Sequence, residues 1–180
     1  MSTHQTLISR LGTVMQMAYV PEDMDGALRY WTETMGVGPF FKLANNQVDA
    51  ARYKGEPASI DFSVYIAYWG DMQIELIEQY NDAPSIYKSW RSEGREGLHH
   101  ICIVVEDMAR ARAVCAEAGA TVMQEIWLPG GGEAIYVDAG GGPGSLIEMI
   151  CFPPESYAFF DLMRDAARNW DGSEPIRAVG

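Results

Sequence analysis

QMAYVPEDMDGALRYWTETMG, residues 16–36, and HICIVVEDMARARAVCAEAGA, residues 100–120, lie 84 positions apart and follow one pattern. Each begins with a short apolar run, continues through Glu-Asp-Met and ends in a predicted helix. Asp23 and Asp107 are suitable N-caps for the two helices, and a glycine stands near each helix end. The sequence therefore predicts an internal duplication. The positions that are identical at this offset are Val20/Val104, Glu22/Glu106, Asp23/Asp107, Met24/Met108, Ala27/Ala111 and Glu33/Glu117.

Strand-like segments follow each predicted helix. They cover residues 48–55, 60–70 and 71–79 in the first half, and residues 120–128, 133–139 and 144–152 in the second. MQIELIEQ around Glu75 also resembles SLIEMICF around Glu148. The predicted fold class is α+β, with tandem β-α-β-β-β modules that form a pseudo-two-fold curved mixed sheet. The predicted divisions are a first module at 12–83, a linker helix at 84–96, a second module at 97–152, and a C-terminal helix and tail at 153–180.

Composition excludes several classes of function. The chain has 180 residues, 13 basic and 25 acidic side chains, and a formal net charge of −12. Such an acidic chain is a poor match for nucleic acid or for an anionic membrane surface. The three cysteines are widely spaced and form no Cys-x-x-Cys, which argues against a disulfide framework and a cysteine zinc site. With no recognisable signal peptide or long apolar run, we expect a cytoplasmic protein.

Four polar residues interrupt the predicted apolar strands. Gln16 and His100 occupy equivalent positions of the two copies, and so do Glu75 and Glu148. A buried carboxylate is costly unless it is paired or binds a metal, and no lysine or arginine is close in sequence to either glutamate. A two-fold arrangement of the modules would bring all four side chains to one point. One imidazole nitrogen and three oxygens suit a divalent cation.

The histidines limit the composition of such a site. The chain has only His4, His99 and His100. Because His99 and His100 are neighbours on a predicted strand, we expect them to point to opposite faces of the sheet, so that at most one joins the site.

These segments resemble the vicinal-oxygen-chelate superfamily, also called the glyoxalase/bleomycin-resistance/dioxygenase superfamily, over about residues 12–152. GLHHICIVVEDM is similar to the Gly-Leu-His-His segment of methylmalonyl-CoA epimerases, in which the second histidine is the ligand, here His100. SLIEMI resembles the last-strand segment with the catalytic, metal-binding glutamate, here Glu148. MQIELI and VMQMAYV match the strands that supply the other two ligands, here Glu75 and Gln16.

The ligand set departs from that of the epimerases. Those enzymes usually have histidine first and glutamine second, whereas this chain has Gln16 and Glu75. The set Gln, Glu, His, Glu resembles instead that of eukaryotic-type glyoxalase I, while the short linker helix is more similar to the epimerases and to bacterial glyoxalase-like proteins. The resemblance implies one divalent metal ion (Zn, Ni, Co or Mn).

Both relatives remove a proton α to a carbonyl group, so the resemblance implies a metal-dependent isomerase, epimerase or lyase that acts on a small carbonyl compound. Glu148 is the expected base, and Glu75, on the opposite side of the metal, is the expected second catalytic carboxylate that can return the proton. One alternative is a non-catalytic binding protein, as in bleomycin resistance. The other is an iron-dependent extradiol-type dioxygenase, although such enzymes use two histidines.

Aromatic side chains are numerous for a small domain, and an apolar or aromatic substrate is expected. The residues predicted to contact it are Trp31, Phe40, Tyr65, Trp69, Trp127 and Tyr136. The relatives are commonly homodimers, and the strand edges of such modules favour pairing, so we expect a homodimer as well.

Overall fold

The computed structural model describes residues 7–44 and 48–179, so His4 lies outside the described residues. The described strands form a single eleven-stranded mixed sheet. In spatial order the strands are β11, β2, β5, β6, β1, β7, β10, β9, β8, β3 and β4. Their bounds are Val14–Tyr19 (β1), Phe40–Leu43 (β2), Ala50–Tyr53 (β3), Glu56–Pro57 (β4), Phe62–Trp69 (β5), Met72–Gln79 (β6), Leu98–Val104 (β7), Thr121–Leu128 (β8), Gly132–Asp138 (β9), Leu146–Cys151 (β10) and Ile176–Val179 (β11).

Four α-helices accompany the sheet. α1 continues beyond its last residue as a π-helical turn over Tyr30–Thr34. None of the described helices is long and apolar enough to cross a membrane. The bounds of the helices are Met24–Arg29 (α1), Ile86–Ser92 (α2), Met108–Glu117 (α3) and Glu155–Arg168 (α4).

The two halves of the sheet have the same connectivity. In each half the strand that precedes the helix lies parallel to the last strand of its own module, and the other strand pairs within the module, β2–β5–β6 and β8–β9–β10, are antiparallel. The modules meet where β1 runs antiparallel to β7, on the axis of the pseudo-two-fold relation. This arrangement confirms the predicted fold class.

The duplicated Glu-Asp-Met segments begin the module helices. The Asp23 carboxylate accepts a hydrogen bond from the backbone N–H of Gly26 at 2.9 Å, and Asp107 accepts one from Arg110 at 3.0 Å. Each interaction satisfies one of the amides that a helix leaves free in its first turn.

One strand lies in a different part of the sheet from the one that its position in the sequence indicates. Segment 48–55 was predicted as the first strand after the helix of module one, and this prediction is wrong. β2 holds that place and pairs with β5, whereas β3 crosses to the outer edge of module two and pairs with β8. A further strand, β11, lies in the segment predicted as tail and runs parallel to β2 at the opposite edge of the sheet.

The two faces of the sheet bury different cores. On one face α1 and α3 pack against the strands of their own modules, with Leu28 of α1 in one cluster with Ile74, and Met149 in the cluster beneath α3. On the other face α2 and α4 cover the ends of the concave surface, where Tyr87 and Phe160 join a core that both modules share. The concave face is therefore partly closed by helices that lie outside the repeats.

Candidate metal centre

Three buried side chains converge where the two modules meet. Glu75, His100 and Glu148 each place one potential ligand atom within 4.8 Å of the others. The Nε2 atom of His100 lies 3.3 Å from the Glu148 carboxylate and 3.8 Å from that of Glu75. At most 8% of any of these residues is exposed, so the group is largely shielded from water.

The strand register explains this convergence. Small side chains occupy the centre of two neighbouring rows of residues paired across three strands. Ala18 lies between Glu75 and His100, and Cys102 lies between Glu148 and Gln16. Ala18 and Cys102 are themselves equivalent in the repeat, and both are buried. Their small volume leaves room between the larger flanking side chains. The two rows are Glu75–Ala18–His100 and Glu148–Cys102–Gln16.

Gln16 is oriented by a chain of hydrogen bonds along the same row. Its Nε2 donates to the Oε1 of Gln73 at 2.7 Å, and the Nε2 of Gln73 donates to the hydroxyl of Tyr68 at 2.9 Å. The Oε1 of Gln16 is buried without a hydrogen-bond partner among the described residues. Since a buried acceptor without a partner is costly, this oxygen is available for a ligand of the cavity that Gln16 lines.

His100 is held in a similar way by His99. Their Nδ1 atoms lie 2.8 Å apart, and the Nε2 of His99 lies 3.4 Å from the carbonyl oxygen of Ile86. If His99 donates its Nε2 proton to Ile86, its Nδ1 accepts the Nδ1 proton of His100. The Nε2 of His100, which has no hydrogen-bond partner among the described residues, then carries a lone pair.

The two histidines lie on the same side of the sheet, and the prediction that they point to opposite faces is wrong. The β1–β7 register shifts between Ala18 and Tyr19, which leaves His99 as an extra residue on β7. Such a bulge interrupts the alternation of side chains. A second shift leaves Met15 as the extra residue on β1, at the equivalent repeat position.

Burial and charge set the protonation of these groups. Burial raises the pKa of Glu75 well above its usual value, and the negative charge of Glu148 raises it further. Burial, followed by the same charge, also raises the pKa values of the Tyr136 hydroxyl and the Cys102 thiol. Burial and the neighbouring His100 lower the pKa of His99 to about 3, so His99 is neutral at pH 7.

The donor set fits a divalent cation. Two carboxylates supply negative charge, and the unpartnered Nε2 of His100 and Oε1 of Gln16 supply neutral ligand atoms. Nitrogen and oxygen ligands of this kind suit zinc, nickel, cobalt and manganese. Glu75, His100 and Glu148 can therefore hold a metal ion, with Gln16 as the fourth predicted ligand.

A cavity of about 200 Å³ opens above this group. Gln16, Glu75 and Glu148 line it at the sheet, and its walls are mainly apolar. Tyr136 also lines it, and its ring lies against the His100 ring with the centroids 5.2 Å apart. The hydroxyl of Tyr87 donates to that of Tyr136 at 3.1 Å, which connects the linker helix to the site.

The remaining residues predicted to contact substrate lie outside this cavity. Trp31, Phe40 and Tyr65 are buried on the opposite face of the sheet, in the core beneath α1. Trp69 is 52% exposed and packs against Trp31. Trp127 alternates with cavity-lining neighbours on β8 and so faces away, with the Arg52 guanidinium 5.8 Å from its ring centroid. Among the six predicted residues, the site therefore contains Tyr136.

Several residues of the site were missed by sequence reasoning. Gln73 stands two positions before Glu75 on one strand, so alternation places it on the same face, a signal that was available. The contributions of Tyr87 and of Phe159 and Phe160 on α4 had no such signal. They depend on how helices outside the repeats dock on the sheet.

The paired modules and the central carboxylate–histidine group define a class of proteins. Residues 15–137 match the family described as the Glyoxalase/Bleomycin resistance protein/Dioxygenase superfamily. This match covers well over half of the chain, and the protein belongs to that superfamily.

Solved structures share the fold at low sequence identity. A hypothetical protein from Bacillus halodurans C-125 superposes with a TM-score of 0.58 at 15% identity, over 78% of this chain and 94% of that chain. Methylmalonyl-CoA epimerase from Mycobacterium tuberculosis gives 0.53 at 14% identity, over 82% and 93%. A Streptomyces coelicolor methylmalonyl-CoA epimerase variant in complex with 2-nitronate-propionyl-CoA gives 0.51 at 16% identity, over 78% and 94%. None of the curated proteins matches the sequence.

Proposed function

We propose that this protein is a metal-dependent enzyme that removes a proton from the carbon next to a carbonyl group, as an isomerase, epimerase or lyase. The observation that carries the proposal is the group of Glu75, His100 and Glu148, whose ligand atoms lie within 4.8 Å of one another at the base of an apolar cavity. A divalent ion held there would polarise the substrate carbonyl and stabilise the negative charge that develops on its oxygen.

The two carboxylates have different proposed tasks. Glu148 is the proposed base, because it occupies the second-module position next to the oriented His100. Glu75 is the proposed group that returns the proton, because it is the equivalent carboxylate of the first module and its ligand atom lies within 4.8 Å of that of Glu148. In an epimerase, one carboxyl group removes the proton and the other returns it.

The superfamily membership and the fold support this proposal. Methylmalonyl-CoA epimerases are among the solved structures with the same fold, but the identities of 14–16% carry the fold alone. The paired carboxylates are compatible with an epimerase, which removes and returns a proton at one carbon. They are equally compatible with a glyoxalase I-like reaction, in which the proton moves to a neighbouring carbon.

Metal analysis combined with hydrogen exchange tests the proposal. We expect the purified protein to contain one divalent ion per chain and to exchange the α-protons of suitable carbonyl compounds with solvent deuterium. Glu148→Gln should reduce exchange by about 10²–10⁴-fold while the amide oxygen still serves as a ligand. Glu78→Gln is the matched control. Glu78 lies on the same strand as Glu75, but its carboxylate accepts hydrogen bonds from the hydroxyls of Tyr65 and Tyr80. A metal-free protein without exchange activity would contradict the proposal.

The apolar walls of the cavity favour one second candidate, a binding protein that sequesters a small molecule without chemistry. This function requires neither the metal nor the two carboxylates. Tight ligand binding by chelator-treated protein, with no exchange by metal-loaded protein, would favour it over the enzyme.

A further inference from the structure

We propose that the substrate is a compact, neutral carbonyl compound with an aromatic or branched aliphatic body, and not a coenzyme A thioester or a glutathione adduct. This inference rests on the proposed function and identifies the class of molecule on which the same site acts. It follows from the charge, the walls and the size of the cavity.

The charge of the lining disfavours anionic substrates. Among the described residues that line the cavity, the charged side chains are Glu75 and Glu148, and none is lysine or arginine. Phosphates and carboxylates are usually bound by arginine or lysine, and a buried anion without such a partner is costly. Apart from the metal ion proposed to be held by the two glutamates, a substrate with several anionic groups would meet no compensating cation among the described lining residues.

The arginines on the two covering helices are already engaged. On α2, Arg91 pairs with Glu22 at 2.7 Å and with Glu96 at 2.6 Å. On α4, Arg164 pairs with Asp161 at 2.7 Å, and its guanidinium lies 4.8 Å from the centroid of the Tyr68 ring. Neither arginine lines the cavity, so neither offers an anion site within it.

The walls come from both modules and from the C-terminal helix. Val64 and Ile66 lie on β5, Ala134 lies on β9, and Phe159 and Phe160 extend from α4. Phe160 is buried, and Phe159 packs edge-to-face on Phe41 with the ring centroids 6.2 Å apart. These side chains favour contact with an apolar body and have no polar group to bind a peptide or a phosphate.

The size of the cavity agrees with this composition. An apolar cavity of roughly 150 Å³ holds benzene. At about 200 Å³, this cavity has room for one ring and a few further heavy atoms, which include the carbonyl group placed at the carboxylates. The pantetheine arm and nucleotide of a coenzyme A thioester would have to lie outside, beyond the apolar walls.

Binding measurements with two probes test the inference. The neutral probe is 2-hydroxy-1-phenylpropan-1-one and the anionic probe is propionyl-CoA, each titrated into zinc-loaded protein and followed by saturation-transfer NMR and calorimetry. We expect saturable binding of the phenyl ketone and no binding of propionyl-CoA at the same concentrations. Saturable binding of propionyl-CoA alone would overturn the inference.

Variants show whether the probe occupies this cavity. Ala134→Leu adds a branched side chain at the buried wall and should weaken binding of the ketone about tenfold or more. Ala113→Leu, on the exposed face of α3, is the control and should bind as the parent does. If Ala134→Leu does not fold, Phe159→Ala keeps the test usable, because it enlarges the cavity and should admit a bulkier diaryl hydroxyketone. Unchanged affinities in Ala134→Leu and Phe159→Ala would overturn the inference.

Failure of the inference and failure of the proposed function are distinguishable. Deuterium exchange into propionyl-CoA without ketone binding would refute the substrate class while the proposed function holds. Ketone binding that Ala134→Leu abolishes, without exchange in zinc-loaded protein, would refute the proposed chemistry and support the ligand class.

Discussion

Acidification from pH 7 to pH 5 is expected to destabilise the metal-free protein through His99. Burial and the neighbouring His100 lower the pKa of this histidine to about 3, whereas an unfolded histidine titrates near pH 6.5. Between these values the unfolded chain binds one proton more than the folded chain. The free energy of unfolding therefore falls as the pH falls, by at most about 1.4 kcal/mol per pH unit.

The magnitude is large enough to measure. The contribution of His99 to the free energy of unfolding is close to its maximum above pH 7, and it decreases by about 2 kcal/mol by pH 5. Because His99 is fully buried, no correction for exposure to solvent is needed. Glu75 acts in the opposite direction, since its raised pKa makes the folded chain bind the additional proton above the usual pKa of a glutamate. The parent protein shows the sum of both effects.

Urea unfolding in the presence of chelator, followed by tryptophan fluorescence at pH 7 and pH 5, separates the effect of His99 on stability from that of Glu75. His99→Gln should lose about 2 kcal/mol less stability than the parent between the two pH values, whatever its stability at pH 7. Ser92→Ala, which is exposed on α2 and has no titratable group, should follow the parent. Equal losses in His99→Gln and the parent would show that His99 is not held neutral, and the reasoning from its burial would be refuted.

Three further outcomes are expected. Glu75→Gln should reduce zinc affinity more than tenfold in chelator competition, because one of two anionic ligands becomes neutral, and unchanged affinity would remove Glu75 from the metal group. Asp107→Ala should lower the free energy of unfolding by about 1 kcal/mol in urea titrations, because the Asp107 side chain caps α3. Asp107→Asn should keep most of this stabilisation, because asparagine is also a good N-cap. The Cys102 thiol should react with a disulfide reagent only as the protein unfolds, because burial raises its pKa, and fast native-state labelling detected by mass spectrometry would contradict this.

The duplication explains why so much of the fold was predictable. The capping aspartates, the strand–helix order and the positions of the four candidate ligands all repeat along the chain, and each pattern is local. The register adds Ala18 and Cys102 between the ligands at equivalent positions, so the symmetry seen in the sequence is retained in space. Local patterns of this kind depend on backbone propensity and side-chain alternation, which nearby residues determine.

Features that depend on distant contacts were not predictable. Alternation along β5 separates Tyr65 from Ile66, but only the docking of α1 on one face and α4 on the other decides which of them lines the cavity. The bulge that turns His99 towards His100 depends on pairing between strands that are 84 residues apart.

By itself, the sequence predicted the repeated module, the central carboxylates and the histidine, because the same local patterns of alternation and capping recur in the two copies. The tertiary structure decided the partner of β3, the orientation of both histidines and the apolar walls of the cavity. The physical reason is that burial of one face of a strand is set by whichever element packs against it, and here the helices that cover the concave face come from segments outside the repeats.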